Sequence, residues 1–408
     1  MKKSIFYSSI GGVLEFYDFI IFAIFATAIS KTFFPTESQT AGLLLTFSIF
    51  AAGYLIRPIG GIIFGHFGDK YGRKKTFTYS IIIMALSTFL IALVPSYSSI
   101  GILAPIILTV LRLLQGASIG GEIPGAITFI SETTTRVKTL ACSIIFFGLV
   151  LGIILGELVN MGLTKILSAS EVIEYGWRIA FIIGGIFGIW GFYLRRKLVE
   201  TPLFKDMEKS KVKVPIITVI KKYPLEIFSG WALMGLVSAG IMVLFLIMPA
   251  YAKLAKIPMS DVLLINTIVL FLVMALSIIF GYIGDKFNKR YILLMASIII
   301  IVFSYKVFNQ LVHHDLSLII YGIFCIFSFG AAVAIVPSVL AESFPTEIRY
   351  TGVGIVYNLS FATTGGLAPM IIFYLISSTG NILMPAVYFI AVSIIALLGI
   401  ALYPKKQF

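Results

Sequence analysis

Long apolar runs, each close to the length of a membrane crossing, follow one another along the chain and are parted by short polar breaks. They fall at roughly 9–30, 41–67, 77–95, 100–130, 138–163, 177–198, 223–250, 260–283, 291–308, 316–341, 350–377 and 383–403, and a helix needs about 20 such residues to span the hydrocarbon of a bilayer. Inside lipid only helices and closed barrels satisfy their backbone groups. Barrel strands would show short segments of alternating character, whereas these runs are continuous and rich in Leu, Ile, Phe and Gly. The pattern therefore predicts an all-α membrane protein with twelve transmembrane helices.

The polar breaks carry the next signal. Residues 57–75, RPIGGIIFGHFGDKYGRKK, form a glycine-rich apolar run that ends in an acid and a dense basic turn, as a helix does when it leaves the bilayer on the cytoplasmic side. A related string, GYIGDKFNKR, returns at 281–290, with Gly284, Asp285 and Lys286 standing 216 positions after Gly68, Asp69 and Lys70. Glu132 with Arg136 closes the fourth run, and Glu342 with Arg349 closes the tenth. The chain reads as a duplication, with pseudo-symmetric six-helix bundles at 1–198 and 223–408. Between them, 199–222 is a lysine-rich cytoplasmic linker that also holds Glu200, Asp206 and Glu208. Paired repeats of this kind place a substrate site at their interface near the bilayer midplane, exposed alternately to either side.

Composition agrees: 59% of the 408 residues are hydrophobic and 12% are charged, more apolar surface than a soluble domain can bury. The net charge of +13 is topological. Of the 31 Lys and Arg residues, 23 lie at the N-terminus, in the even-numbered connections and in the C-terminal tail, against 6 in the odd-numbered ones. That bias predicts a multi-pass inner (plasma) membrane protein with both termini cytoplasmic, and it removes the case for nucleic-acid binding. Glu15 and Asp18 interrupt the first run, so it is expected to be a retained helix rather than a cleaved signal peptide. Cys142 and Cys325 sit in opposite halves and suggest neither a disulfide framework nor a metal site; His66, His313 and His314 are too scattered for one. No GxxxxGK[ST] loop is present, which excludes an ATP-driven pump of that class. The buried charges lack His or Cys companions for enzyme chemistry. No cofactor is expected, the proton gradient being the energy source.

Arg57 and Arg112, the remaining two basic residues, lie inside runs, together with Glu15, Asp18 and Glu122. Each unpaired charge at that depth costs about 2.5–3.5 kcal/mol on the lenient insertion scale, so the group must face a polar cavity or pair within itself. Glu15 and Asp18 share a helix face, and Arg57 lies about 18 Å along a helix from Asp69. Three acids against two arginines leave one carboxylate without a permanent partner, and desolvation suits such a group to carrying a proton. The proton-coupling set is Glu15, Asp18 and Glu122, with Asp18 or Glu122 as the carrier. Arg112 is expected to pair with Asp18 in the empty state, and Arg57 or Arg112 to receive a substrate carboxylate; ion pairs that merely hold spans one, two and four together are the competing reading. The second half offers Trp231, Tyr251, Asn266, Tyr321, Tyr357 and Asn358 in place of charge, and aromatic faces hold ammonium groups. With Tyr17 from the first half, Trp231, Tyr357 and Asn358 complete the expected substrate contacts. Cations and acids on one side and aromatics on the other suit a zwitterion; an organic dicarboxylate, or uncoupled facilitation or export, are the alternatives.

The basic turns are expected to latch the two halves. Gly61, Gly65 and Gly68 leave a groove for another helix, and Asp69 can accept hydrogen bonds from a neighbouring helix start. Arg73 can pair with Asp69 or Glu132, and Gly72, Arg136, Asp285, Glu342 and Arg349 complete the latch.

These segments carry a resemblance. LEFYDFIIF at 14–22, the 57–75 string, RLLQGASIGGEIPGA at 112–126, SETTTR at 131–136, ETPLF at 200–204 and AESFPTEIRYTGVGIVYNLS at 341–360 resemble the major facilitator superfamily, and within it the metabolite:proton symporters, which include proline/betaine, α-ketoglutarate, shikimate and citrate carriers. The resemblance implies proton-coupled symport of a small metabolite by alternating access, and it moves the reading of the basic turn toward a latch. A chain holding both halves is expected to work as a monomer. Two departures stand out: Asn288 occupies the place of Gly72 in the second turn, and the sequence ends at Phe408 without the long extension of some osmosensing relatives, so osmotic gating is not expected.

Overall fold

The computed structural model describes residues 2–36, 38–134, 136–206, 214–255, 259–313 and 318–403. Glu208 and three of the six linker lysines (Lys209, Lys211 and Lys213), together with Lys256, His314, Lys405, Lys406 and Phe408, lie outside the described residues. Among the described residues, twelve helices are long and apolar enough to cross a membrane: α1 (Ser4–Ile24), α2 (Ala41–Tyr71), α3 (Arg73–Leu93), α4 (Leu103–Thr133), α5 (Lys138–Ile166), α6 (Ala169–Arg196), α7 (Pro224–Leu246), α8 (Ile265–Gly284), α9 (Lys289–Val312), α10 (Ile319–Ser343), α11 (Thr346–Thr379) and α12 (Met384–Leu402). No strand occurs among the described residues, so the fold is all-α.

Their packing follows from which faces carry small residues. Within the first six spans, α1 lies against α5 and α6, α3 against α4 and α6, and the second part of α2 against α4. The α2–α4 crossing is very close: a Cβ added at Gly120 would collide with the carbonyl oxygen of Arg57. In the last six, α7 packs on α11 and α12, and α9 on α12. Two seams join the sets, α5 against α8 and α10, and the second part of α2 against the start of α11. Large apolar side chains such as Leu44, Ile59, Trp190, Tyr193 and Ile298 stay exposed on the outside, where a lipid solvent replaces the water that would reject them.

Several spans are irregular. α2 is interrupted at Ile56, between helical segments Gln39–Leu55 and Arg57–Tyr71, because Pro58 lacks the N–H that would continue the ladder. π-helical turns occur at Met242–Leu246 in α7 and Phe361–Gly366 in α11. Such turns re-aim side chains locally, and both border the space described next.

Candidate functional site

A cavity of about 850 Å³ lies between the first and last six spans. Ile20 of α1, Phe47, Phe50 and Tyr54 of α2 and Glu157 of α5 form one wall; Phe245 of α7, Asn266 of α8 and Leu367 of α11 form the other. Every one of these positions lies in the part of its helix remote from the basic turns. Phe50 and Tyr54 also wall a recess of about 10 Å³, the size of one water probe, lined by Asp18, Arg57, Arg112 and Gln115.

The recess is assembled by helix periodicity. Glu15 and Asp18 are three apart on α1, Arg112 and Gln115 three apart on α4, and Arg57 sits where α2 restarts after its break. Arg112 Nη1 donates to Asp18 Oδ2 at 3.1 Å, and also to Gln115. Gln115 Nε2 donates to the Thr88 hydroxyl at 2.7 Å, and Thr88 donates to Asp18 Oδ1 at 3.1 Å, closing a ring of four side chains from α1, α3 and α4. Arg57 Nη1 pairs with Glu15 Oε1 at 3.2 Å. The guanidinium of Arg57 lies 3.9 Å from the Tyr54 ring centre, and that of Arg112 lies 3.9 Å from Phe22. These cations are thus held by a carboxylate and by a π-face. Arg57 Nε and Arg112 Nε, on side chains that line the recess, and Glu15 Oε2 are buried without a hydrogen-bond partner.

Glu122 departs from expectation. Its partner is Arg195, which is completely buried and whose Nη1 lies 2.9 Å from Glu122 Oε2. Ser80 donates to the same oxygen at 2.7 Å, and Arg195 also donates to the carbonyls of Phe77 (3.0 Å), Tyr7 (3.2 Å) and Ser8 (3.3 Å). This cluster ties α1, α3, α4 and α6 together and contributes to neither the cavity nor the recess. The five-charge count thus becomes three acids matched by three arginines, Arg195 having been hidden in the basic cluster Arg195-Arg196-Lys197 at the end of its run. Away from the helix ends, Glu157 of α5 is a carboxylate exposed in the cavity wall and without an ion pair among the described residues. A lone acid within the fifth apolar run was the signal that could have found it.

Other expected cargo contacts are placed differently in this conformation. The Tyr17 hydroxyl donates to the Ala180 carbonyl at 2.8 Å and joins α1 to α6, away from the cavity. Trp231 Nε1 donates to Thr363 at 2.9 Å, outside the cavity wall. Tyr357 is buried and stacked on Phe361 at 4.6 Å. The Asn358 amide bridges the carbonyls of Gly120 and Gly354, both at 2.8 Å, so it closes the base rather than lining the cavity. Helix rotation decides such placements, and spans that are apolar all round do not reveal it.

At the basic end the two sets of spans are locked. Asp69 accepts from the backbone N–H of Tyr350 (3.1 Å) and Thr351 (2.8 Å), capping the start of α11. Asp285 does the same for α5, through Thr139 (2.8 Å) and Leu140 (3.0 Å). Arg73 pairs with Asp69 at 2.9 Å and Glu132 at 3.2 Å, and Arg349 reaches Glu132 at 3.1 Å. Glu342 pairs with Lys289 at 2.6 Å and Lys138 at 3.5 Å. Gly72 holds φ at +122°, a conformation that favours glycine, and turns the chain from α2 into α3. A Cβ at Gly65 would stand 2.7 Å from the Thr351 Cα, so a larger residue there would force the helices apart. Arg136, by contrast, is exposed and joins no ion pair among the described residues. The sequence reading missed two members: Glu200 accepts from the N–H groups of Arg73 (3.1 Å) and Lys74 (3.2 Å), and Thr201 donates to Glu132 at 2.7 Å.

Comparison with known proteins fits this architecture. The sequence profile of the Major Facilitator Superfamily matches residues 8–369. The chain is 32% identical over 413 residues to the proline/betaine transporter of Escherichia coli (strain K12), covering 98% of this chain and 82% of that one. A protein of Staphylococcus haemolyticus (strain JCSC1435), whose provisional name carries the same substrate pair, is 35% identical over 406 residues, covering 98% and 87%. Among solved structures, the proton:xylose symporter XylE bound to 6-bromo-6-deoxy-D-glucose superposes with a TM-score of 0.77 at 15% identity, over 98% of this chain and 94% of that one. A fold of twelve membrane-crossing helices, a profile matched across most of its length and relatives of this similarity aligned over 98% of the chain lead to one conclusion: the chain belongs to the major facilitator superfamily.

Proposed function

We propose that this multi-pass membrane protein is a secondary transporter that carries a small zwitterion, such as an amino acid, proline or betaine, together with a proton by alternating access. The observation that carries the reading is the recess lined by Asp18, Arg57 and Arg112, with Asp18 paired to Arg112 and Glu15 to Arg57, which shares Phe50 and Tyr54 with a cavity between the two sets of spans. The names of the similar E. coli and S. haemolyticus proteins support the substrate class.

In this reading the basic turns and both termini face the cytoplasm, and the cavity faces outward. A proton reaching Asp18 through the cavity neutralises it and releases Arg112, whose guanidinium then receives the cargo carboxylate. Arg57 supplies a second cation beside it. Filling the site draws the outer parts of α1, α2 and α5 toward α7, α8 and α11, while Asp69 and Asp285 let go of the helix starts that they cap. Cargo and proton leave toward the cytoplasm, and Arg112 returns to Asp18. The cargo is moved without chemical change, in a working unit of one chain.

The test is transport in proteoliposomes. Asp18→Asn should lose proton-driven accumulation while keeping substrate exchange across a membrane with no gradient. Full proton-driven accumulation by this variant would refute the coupling. A dicarboxylate is the second reading, favoured by the two unpartnered Nε donors in the recess; competition by dicarboxylates, but not by proline or betaine, would establish it. Uptake without a substrate-induced pH change in weakly buffered medium would point to a facilitator.

A further inference from the structure

Among the described residues, Glu157 is the one charged side chain in the wall of the main cavity, as distinct from the recess beside it. It sits 19 residues into α5 from Lys138, about 28 Å along the helix at 1.5 Å per residue. No cation among the described residues pairs with it, although an unpaired charge within a span is costly. Around it the wall is aromatic, with Phe47, Phe50, Tyr54 and Phe245. Across the cavity Asn266 donates its amide hydrogen to the Phe245 carbonyl at 2.9 Å. That bond fixes the amide, and its oxygen is left buried with no donor. A free carboxylate, π-faces and an orphaned acceptor are all complementary to positive charge. The guanidinium groups of Arg57 and Arg112, which line the recess, are held by Glu15 and Asp18.

From this geometry we infer that Glu157 is the counter-charge for the cationic end of the cargo, and that it makes the cavity select for substrates bearing an ammonium group. The inference rests on the zwitterion reading above and adds an orientation to it. The cargo carboxylate points down toward Arg57 and Arg112, and its nitrogen points toward Glu157 and the aromatic wall. Charge attraction serves secondary and quaternary nitrogens alike. Asn266 discriminates between them, since its oxygen accepts from an N–H group that a quaternary ammonium lacks. Glu157 is a specificity residue here and takes no part in moving the proton.

Purified Glu157→Gln and Glu157→Asp proteins, reconstituted in liposomes, test this with proline, glycine betaine and cyclopentanecarboxylate, a ring acid without nitrogen. Thermal unfolding in detergent monitors folding of each variant. The Gln variant should raise KM for both nitrogen-bearing substrates about tenfold, as loss of some 1.4 kcal/mol would. The rise should be equal in gradient-free exchange, and inhibition by the ring acid should strengthen relative to proline. The Asp variant should recover much of the loss. Asn266→Ala should raise KM for proline while sparing betaine. An unchanged exchange KM in Glu157→Gln would overturn the inference, even if proton-driven accumulation were lost, because that pattern belongs to a proton carrier. Failure of the unmodified protein to transport either nitrogen-bearing substrate would overturn the zwitterion reading together with it.

Discussion

Glu122 and Arg195 are buried to 1% and 0% exposure, and each supplies the other's neutralising charge at a point where four helices meet. Removing one member of such a pair strands the other, which costs about 3–5 kcal/mol. Arg195→Gln and Glu122→Gln should therefore each lower the unfolding temperature of the detergent-solubilised protein by several degrees. The double variant should lose less than the two single losses combined, since neither charge is then stranded. Its recovery should be incomplete, because the guanidinium also serves three backbone carbonyls. Additive losses would show that the pair is not a unit. At this scale the sequence reveals charges and conceals directions. Glu15, Asp18, Arg57 and Arg112 stand out because ionised groups are rare in apolar runs. Arg195 does not, because it adjoins two more basic residues at a helix end. Tyr17 was legible as polar, yet nothing in its own helix tells that its hydroxyl turns toward α6 rather than the cavity.

Helices α2 and α11 meet where both backbones approach closely, and Asp69 spans the junction by capping α11. Closure of the basic end depends on this contact in two separable ways. Gly65→Val should prevent it sterically, giving an inserted protein with little transport and with increased labelling of cysteines placed at the base. Asp69→Asn removes the charge-assisted bonds while leaving the shape, so transport should fall with insertion intact. Unchanged uptake rates in Asp69→Asn would remove the latch from the mechanism. Most element boundaries could be read from the run lengths, and the polar turns at 57–75 and 281–290 identified the junctions. Pro58 marks where α2 can break, whereas the π-turns of α7 and α11 were less legible. These depend on how neighbouring helices re-satisfy freed backbone groups, which no single segment encodes. The capping role of Glu200 was equally hidden, since it joins residues 127 positions apart.

For the molecule as a whole, closure at one end and a cavity toward the other make accessibility the decisive observable. Cys142 and Cys325 are both buried, so engineered cysteines report over a low background. Cysteine at position 157 should react in whole cells with a membrane-impermeant thiol reagent applied from outside, and cysteine at 358 should be protected. The opposite pattern would mean that the cavity faces the cytoplasm. The fold and its twelve spans were plain from run length because lipid imposes length and continuity on every span; what lines the cavity was less plain, because its walls draw a few residues from each of six helices. The interruption of α2 bears on how such a machine moves. Two short rods share a pivot at Ile56, and the first side chain beyond that pivot is the guanidinium of Arg57. Under the proposed mechanism, a cargo carboxylate drawn to that group would act at a joint rather than on a stiff beam, so that the shutter formed by Arg57–Tyr71 would swing while the aromatic sill above it kept its place.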